Sequence, residues 1–129
     1  MTTNDFLLKE AKRLKLRKFR GVFMRDELPK KTLVKECGII NLESSKEKGS
    51  HWCCWWKNKN KKYYFDPYGI LPSKEMINYL ESPINYSTFQ IQQFNESNCG
   101  ERCLDMLNKL NNGNNFQDII FKMLNQKTF

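Results

Sequence analysis

Residues 51–66, HWCCWWKNKNKKYYFD, constrain the fold more than any other part of the chain. Two runs dense in aromatic side chains, HWCCWW (51–56) and KYYFD (62–66), flank a polar, turn-prone linker, KNKNK (57–61). That pattern predicts an antiparallel β-hairpin. In such a hairpin the start of one strand lies beside the end of the next. His51, the only histidine, is therefore expected beside Asp66.

The rest of the chain supplies elements on both sides of the hairpin. Asn4 is expected to cap a first helix in which Phe6 or Leu7, Ala11 and Leu14 recur at helical spacing. FRGVF (19–23) reads as a short strand, residues 25–36 as a loop around Pro29, and CGIINL (37–42) as a buried strand. Pro67, Gly69 and Pro72 stop the second hairpin strand, and Ser73 starts a short helix with Met76, Ile77 and Leu80 on one face. YSTFQIQQF (86–94) alternates as a further strand would. Asn98, with Glu101 three residues on, has the form of a capping box that makes Cys99 the first residue of a helix over 99–110. Cys99, Cys103, Met106, Leu107 and Leu110 form its apolar stripe, and a last helix covers 116–124. No repeat or linker divides the 129 residues. The expected fold is one α+β domain over 1–129, with a central, mostly antiparallel sheet flanked by helices.

Composition narrows the class. A hydrophobic content of 40% and aromatic content of 13% argue for a folded globule. No apolar run is long enough to span a membrane and no secretory leader stands at the start, so a soluble, intracellular protein is expected. Five cysteines, two of them adjacent and none in a C-x-x-C pair, make a poor disulfide framework and a poor zinc site; no metal is expected. The formal charge of +8 is concentrated in residues 9–20. Lys12, Arg13, Lys15, Arg17, Lys18 and Arg20 there are either DNA contacts or a solvated helix face.

A cysteine opening a helix sits among unpaired N–H groups at the positive end of the helix dipole, where a thiolate is favoured. Cys99 occupies that place, and Gly100 behind it lets a substrate backbone approach. With His51 as base and Asp66 orienting it, the three residues have the makings of a Cys-His-Asp site. Gln92 or Gln93, on the segment feeding Cys99, supplies an amide for a developing oxyanion, and strand alternation lets only one of them face the site.

The order of these residues resembles the adenovirus protease (adenain) family, of the same clan as the SUMO and ubiquitin-like-protein proteases. FRGVFMRDELPK (19–30) is similar to the family's early strand and loop, and residues 36–52 to its strand and Gly-x-His-Trp element. YYFDPYG (63–69) is similar to its acidic element and CGERC (99–103) to its Cys-Gly-x-x-Cys helix start, so the likeness spans nearly the whole chain. The chain is shorter than adenovirus protease and looks more like the family's small members in small DNA viruses, virophages and virus-like mobile elements.

The resemblance implies a papain-like, adenain-like proteinase fold. Cys99 would be the nucleophile, His51 the general base and acid, and Asp66 the residue that orients the imidazole. The Cys99 backbone and Gln92 would form the oxyanion hole, Gln92 matching the adenain spacing and Gln93 that of the SUMO proteases. Trp52 and Gly100 would support the site. The implied activity is a cysteine endopeptidase that needs no cofactor for its chemistry and cuts viral capsid or core precursors at small, glycine-containing sites. DNA or a viral peptide would be its activator. A monomer in the host cytoplasm or nucleus, or packaged in the virion, is the corresponding expectation. Two alternatives stay open: an isopeptidase acting on ubiquitin-like conjugates, and a basic DNA-binding module in which the cysteines and histidine are structural.

Overall fold

In the computed structural model, which describes residues 3–43, 51–92 and 98–126, five strands form one mixed sheet. They are β1 (Phe19–Met24), β2 (Lys35–Asn41), β3 (Trp52–Asn58), β4 (Lys61–Phe65) and β5 (Asn85–Tyr86), adjacent in that order. The predicted hairpin is the β3–β4 pair, antiparallel, with Asn58 opposite Lys61 and Lys59 in the left-handed region at the turn. β2 also pairs antiparallel with β3, whereas the outer pairs β1–β2 and β4–β5 are parallel.

Strand alternation divides the core between the two faces. Ile39, Trp52, Cys54 and Phe65 point to one face, where they meet three helices: α1 (Asn4–Arg13), α3 (Cys99–Asn111) and α4 (Phe116–Asn125). Ile40, Cys53, Trp55 and Tyr64 point to the other and pack on Met76 and Leu80 of α2 (Lys74–Leu80). Helices cover both faces of the sheet, giving a single α+β domain. No helix among the described residues is long and apolar enough to cross a membrane.

Several boundaries differ from expectation. Thr3, not Asn4, caps α1, because its extended backbone lets Oγ1 accept the Phe6 N–H at 3.1 Å. Leu7 is the buried member of the Phe6/Leu7 pair, and Ile77 of α2 is exposed while Met76 and Leu80 are buried. The strand expected over 86–94 shrinks to Asn85–Tyr86, after which the described residues to Gln92 are irregular. Its alternating residues do not continue a ladder, since residues 91 and 92 donate instead to the carbonyl of Pro67.

On the α2 face a buried charge ties loop, sheet and helix together. Glu36 accepts from Arg20 (2.8 Å), from the Tyr79 hydroxyl (2.5 Å) and from the Trp55 indole (3.3 Å). A buried carboxylate is tolerated only with such a complete set of partners. The Trp55 ring in turn lies over Gly38, its partner on β2. A Cβ added at Gly38 would sit 2.4 Å from the ring edge. Gly38→Ala is therefore expected to lower stability by about 1–3 kcal/mol through overpacking. Denaturant midpoints would read this, and Trp55→Phe in the same background should recover part of the loss.

Candidate active site

Register places the site before any side chain is considered. Cys54 faces Phe65 across the hairpin, so one step further out Cys53 faces Asp66, and Trp52 faces Pro67. His51 shares its side of the strand with Cys53, diagonal to Asp66. Its Nε2 lies 2.9 Å from Asp66 Oδ1, with the carboxylate fully buried and the imidazole side chain 18% exposed. The same carboxylate oxygen accepts the Tyr68 N–H at 2.8 Å, and the Tyr68 ring stands edge-on against the imidazole, centroids 4.6 Å apart. Asp66 is thus fixed by its own turn before it meets His51. With Nε2 donating to a carboxylate, the imidazole is held in the tautomer whose free lone pair is on Nδ1.

Pro67 decides what happens opposite. The His51 carbonyl accepts the Leu42 N–H on the β2 side, so the N–H and C=O of Trp52 point toward β4. The next residue past β4 on that side is Pro67, which has no N–H for the Trp52 carbonyl and whose own carbonyl is taken by the N–H groups of Ile91 and Gln92. Two sulfurs one helical turn apart on α3 take the place of the ladder. The Trp52 N–H donates to Cys99 Sγ at 3.4 Å, and the Cys103 thiol donates to the Trp52 carbonyl at 3.4 Å. The peptide unit joining His51 to Trp52 therefore carries the imidazole on one side and holds the Cys99 sulfur with its N–H.

Three N–H groups, those of Trp52, Gly100 and Cys99 itself, favour a thiolate at that sulfur. Burial outweighs them, aided by the charge of Glu101, and the Cys99 thiol is pushed above its ordinary value. This corrects the expectation that the helix end makes a ready thiolate. The capping box also fails on its Asn98 side: that side chain makes no cap hydrogen bond, and its buried Oδ1 has no hydrogen-bond partner.

Gln92 is drawn to the same corner. The N–H groups of Ile91 and Gln92 both donate to the Pro67 carbonyl at 2.8 Å, one residue beyond Asp66. The Gln92 side chain is 0% exposed, yet neither its Oε1 nor its Nε2 has a hydrogen-bond partner. A buried amide with nothing to bond is costly, and such groups occur where a ligand supplies the partner. Gln93 lies outside the described residues. Trp52 supports the site through its backbone, while its indole is buried in the core with Cys99 and Cys103.

Three of the six basic residues near the N-terminus already have partners within the fold. Arg13 forks onto Glu10 at 2.8–3.1 Å, Arg20 is committed to Glu36, and Arg17 is tied to Asn111 through its backbone N–H at 2.7 Å and through its guanidinium. Of the six, all but Arg20 are exposed. Arg17 and Lys18 join Lys35, Lys57 and Trp56 in a cleft of about 310 Å³. At about 3.3 Å per strand residue this cleft lies roughly 20 Å along β3 from His51.

Sequence reasoning missed Tyr68 and Cys53, although strand alternation from His51 and the register with Asp66 contain the signal for Cys53. It gave Gly69 only as a strand breaker. Gly69 has φ +75, and a Cβ there would lie 2.6 Å from the Thr88 carbonyl oxygen and 2.8 Å from that of Phe89. Gly69→Ala should push this segment off Pro67. Hydrogen exchange at the Ile91 and Gln92 amides is expected to accelerate at least ~10-fold, with protection of β2 and β3 unchanged. No protein-family model and no curated protein matches the chain, so the function of this corner must be judged on its own geometry.

Proposed function

We propose that the chain is a cysteine endopeptidase of the adenovirus-protease type, with Cys99, His51 and Asp66 as its triad. The observation that carries this is the single peptide unit between His51 and Trp52, which sets a carboxylate-bound imidazole and the Cys99 sulfur on the same backbone joint. Each group taken alone is ordinary; an imidazole held by Asp66, one residue from the N–H that meets a helix-opening cysteine, supplies the pieces that thiol acyl transfer needs.

Asp66 accepts a hydrogen bond from Nε2–H and so leaves Nδ1 as the acceptor. Burial raises the Cys99 thiol above its ordinary value, so the proton leaves sulfur for Nδ1 as the sulfur–carbon bond forms. The Cys99 N–H and the buried Gln92 amide stabilise the developing oxyanion. His51 then returns its proton to the departing amine, and a water activated by the same imidazole cleaves the thioester. Peptides with glycine at the cut are the first substrates to test, as the family resemblance implies, with viral capsid or core precursors as the natural class. The lysine-lined cleft supports an additional contact with a polyanion such as DNA.

Cys99→Ala is expected to abolish hydrolysis with the melting transition retained. Gln92→Ala should lower kcat by about 10²–10³ with a smaller change in KM, the mark of a group that acts on the transition state. Hydrolysis that survives in Cys99→Ala would remove Cys99 from the mechanism.

A further inference from the structure

We propose that His51, Cys53 and Asp66 form a zinc-binding site that switches the triad off. One nitrogen, one sulfur and one oxygen from these residues lie within 4.8 Å of one another. Borderline-soft Zn²⁺ suits such a mixed set, whereas Mg²⁺ and Ca²⁺ call for oxygen throughout. The absence of a C-x-x-C pair argued against zinc, but here the ligands come from cross-strand register rather than local spacing. Cys53 faces Asp66 on β4 and shares its side with His51.

A second observation points to a ligand. Asp66 Oδ1 is occupied by His51 and Tyr68, while Oδ2 is buried with no regular hydrogen bond among the described residues, and the Cys53 thiol already interacts with this carboxylate. Metal–ligand bonds of about 2.0–2.3 Å in a tetrahedron set ligand atoms roughly 3.3–3.6 Å apart. Nε2 already lies 2.9 Å from Oδ1 of the same carboxylate, so a small shift of the imidazole, with Cys53 drawing in, lets the ion take Nε2 and a carboxylate oxygen together. His51, partly exposed, gives the ion its way in, and water completes the fourth position.

Occupancy is incompatible with the role proposed for His51. Zinc on Nε2 replaces the proton given to Asp66, and the neutral imidazole then carries its one proton on Nδ1. No lone pair is left to take the Cys99 proton. The Cys53 thiol releases its own proton to solvent as its sulfur binds. The inhibition rests on the peptidase assignment; the metal site does not.

Cobalt tests the site without turnover. Co²⁺ titrated into reduced Cys99→Ala protein, which lacks the nucleophile's sulfur, is expected to give a saturable one-to-one thiolate-to-cobalt absorption in the near ultraviolet that zinc abolishes. The band should vanish when Cys53→Ala is added, or Cys53→Ser if the alanine form does not fold. No band in Cys99→Ala, or a band that survives loss of Cys53, overturns the site. In the otherwise native chain zinc should stop peptide hydrolysis, and Cys53→Ala should weaken that inhibition ~10-fold or more; equal sensitivity overturns the switch. A chain that hydrolyses no peptide fails as a peptidase, while the cobalt band still decides the metal site.

Discussion

Opposite Trp52 in the hairpin stands Pro67, and the missing N–H of that proline organises the corner around it. A regular ladder would have continued past Phe65 and satisfied Trp52 from β4. Pro67 has no donor for the Trp52 carbonyl and its own carbonyl is engaged elsewhere, so the N–H and C=O of Trp52 are answered by Cys99 and Cys103 on α3, which docks the start of that helix against the strand. The Pro67 carbonyl, facing the other way, gathers the N–H groups of Ile91 and Gln92. One residue without a donor thus brings together the hairpin end, the helix start and the segment carrying Gln92.

The electrostatics of this corner favour a base over a preformed thiolate. Backbone N–H groups surround the Cys99 sulfur, but its burial opposes ionisation more strongly than they support it. The other buried thiols follow the same rule, burial outweighing the hydrogen bonds that Asn111 offers Cys37 and Tyr64 offers Cys53. Burial pushes Cys37 up to about 12, and Cys53 and Cys103 are also raised. Cys99 differs from them in the N–H groups it meets and in its place at the joint beside His51. Asp66, held by the Tyr68 N–H and seated on its own turn, keeps the imidazole in one orientation.

The hairpin, the helix that Cys99 opens and the His51–Asp66 contact were legible in the sequence because each follows from short-range rules: aromatic runs around a polar turn, a polar stop before an apolar stripe, and antiparallel register. What was not legible depends on long-range placement. The segment 86–92 has a strand's alternation but hangs from the Pro67 carbonyl instead of extending a ladder. Within the basic run at residues 9–20, Arg20 turns inward to the buried Glu36 and Arg17 is tied at the surface to Asn111, partners far along the chain. The protonation of Cys99 depends on how much of the fold closes over it, which no local spacing encodes.

The most direct test of Cys99 as an activated nucleophile is the rate at which each cysteine reacts with a thiol-directed electrophile across pH, resolved by peptide mass spectrometry in the native chain and in His51→Ala. With the base in place, Cys99 is expected to react fastest of the five near neutral pH. Without it, ionisation depends on the thiol alone, whose folded value is raised by burial, so reaction should appear only as pH rises beyond the ordinary thiol range. If Cys99 reacts no faster than the buried Cys37, or if its pH profile is the same in His51→Ala, the triad assignment is contradicted.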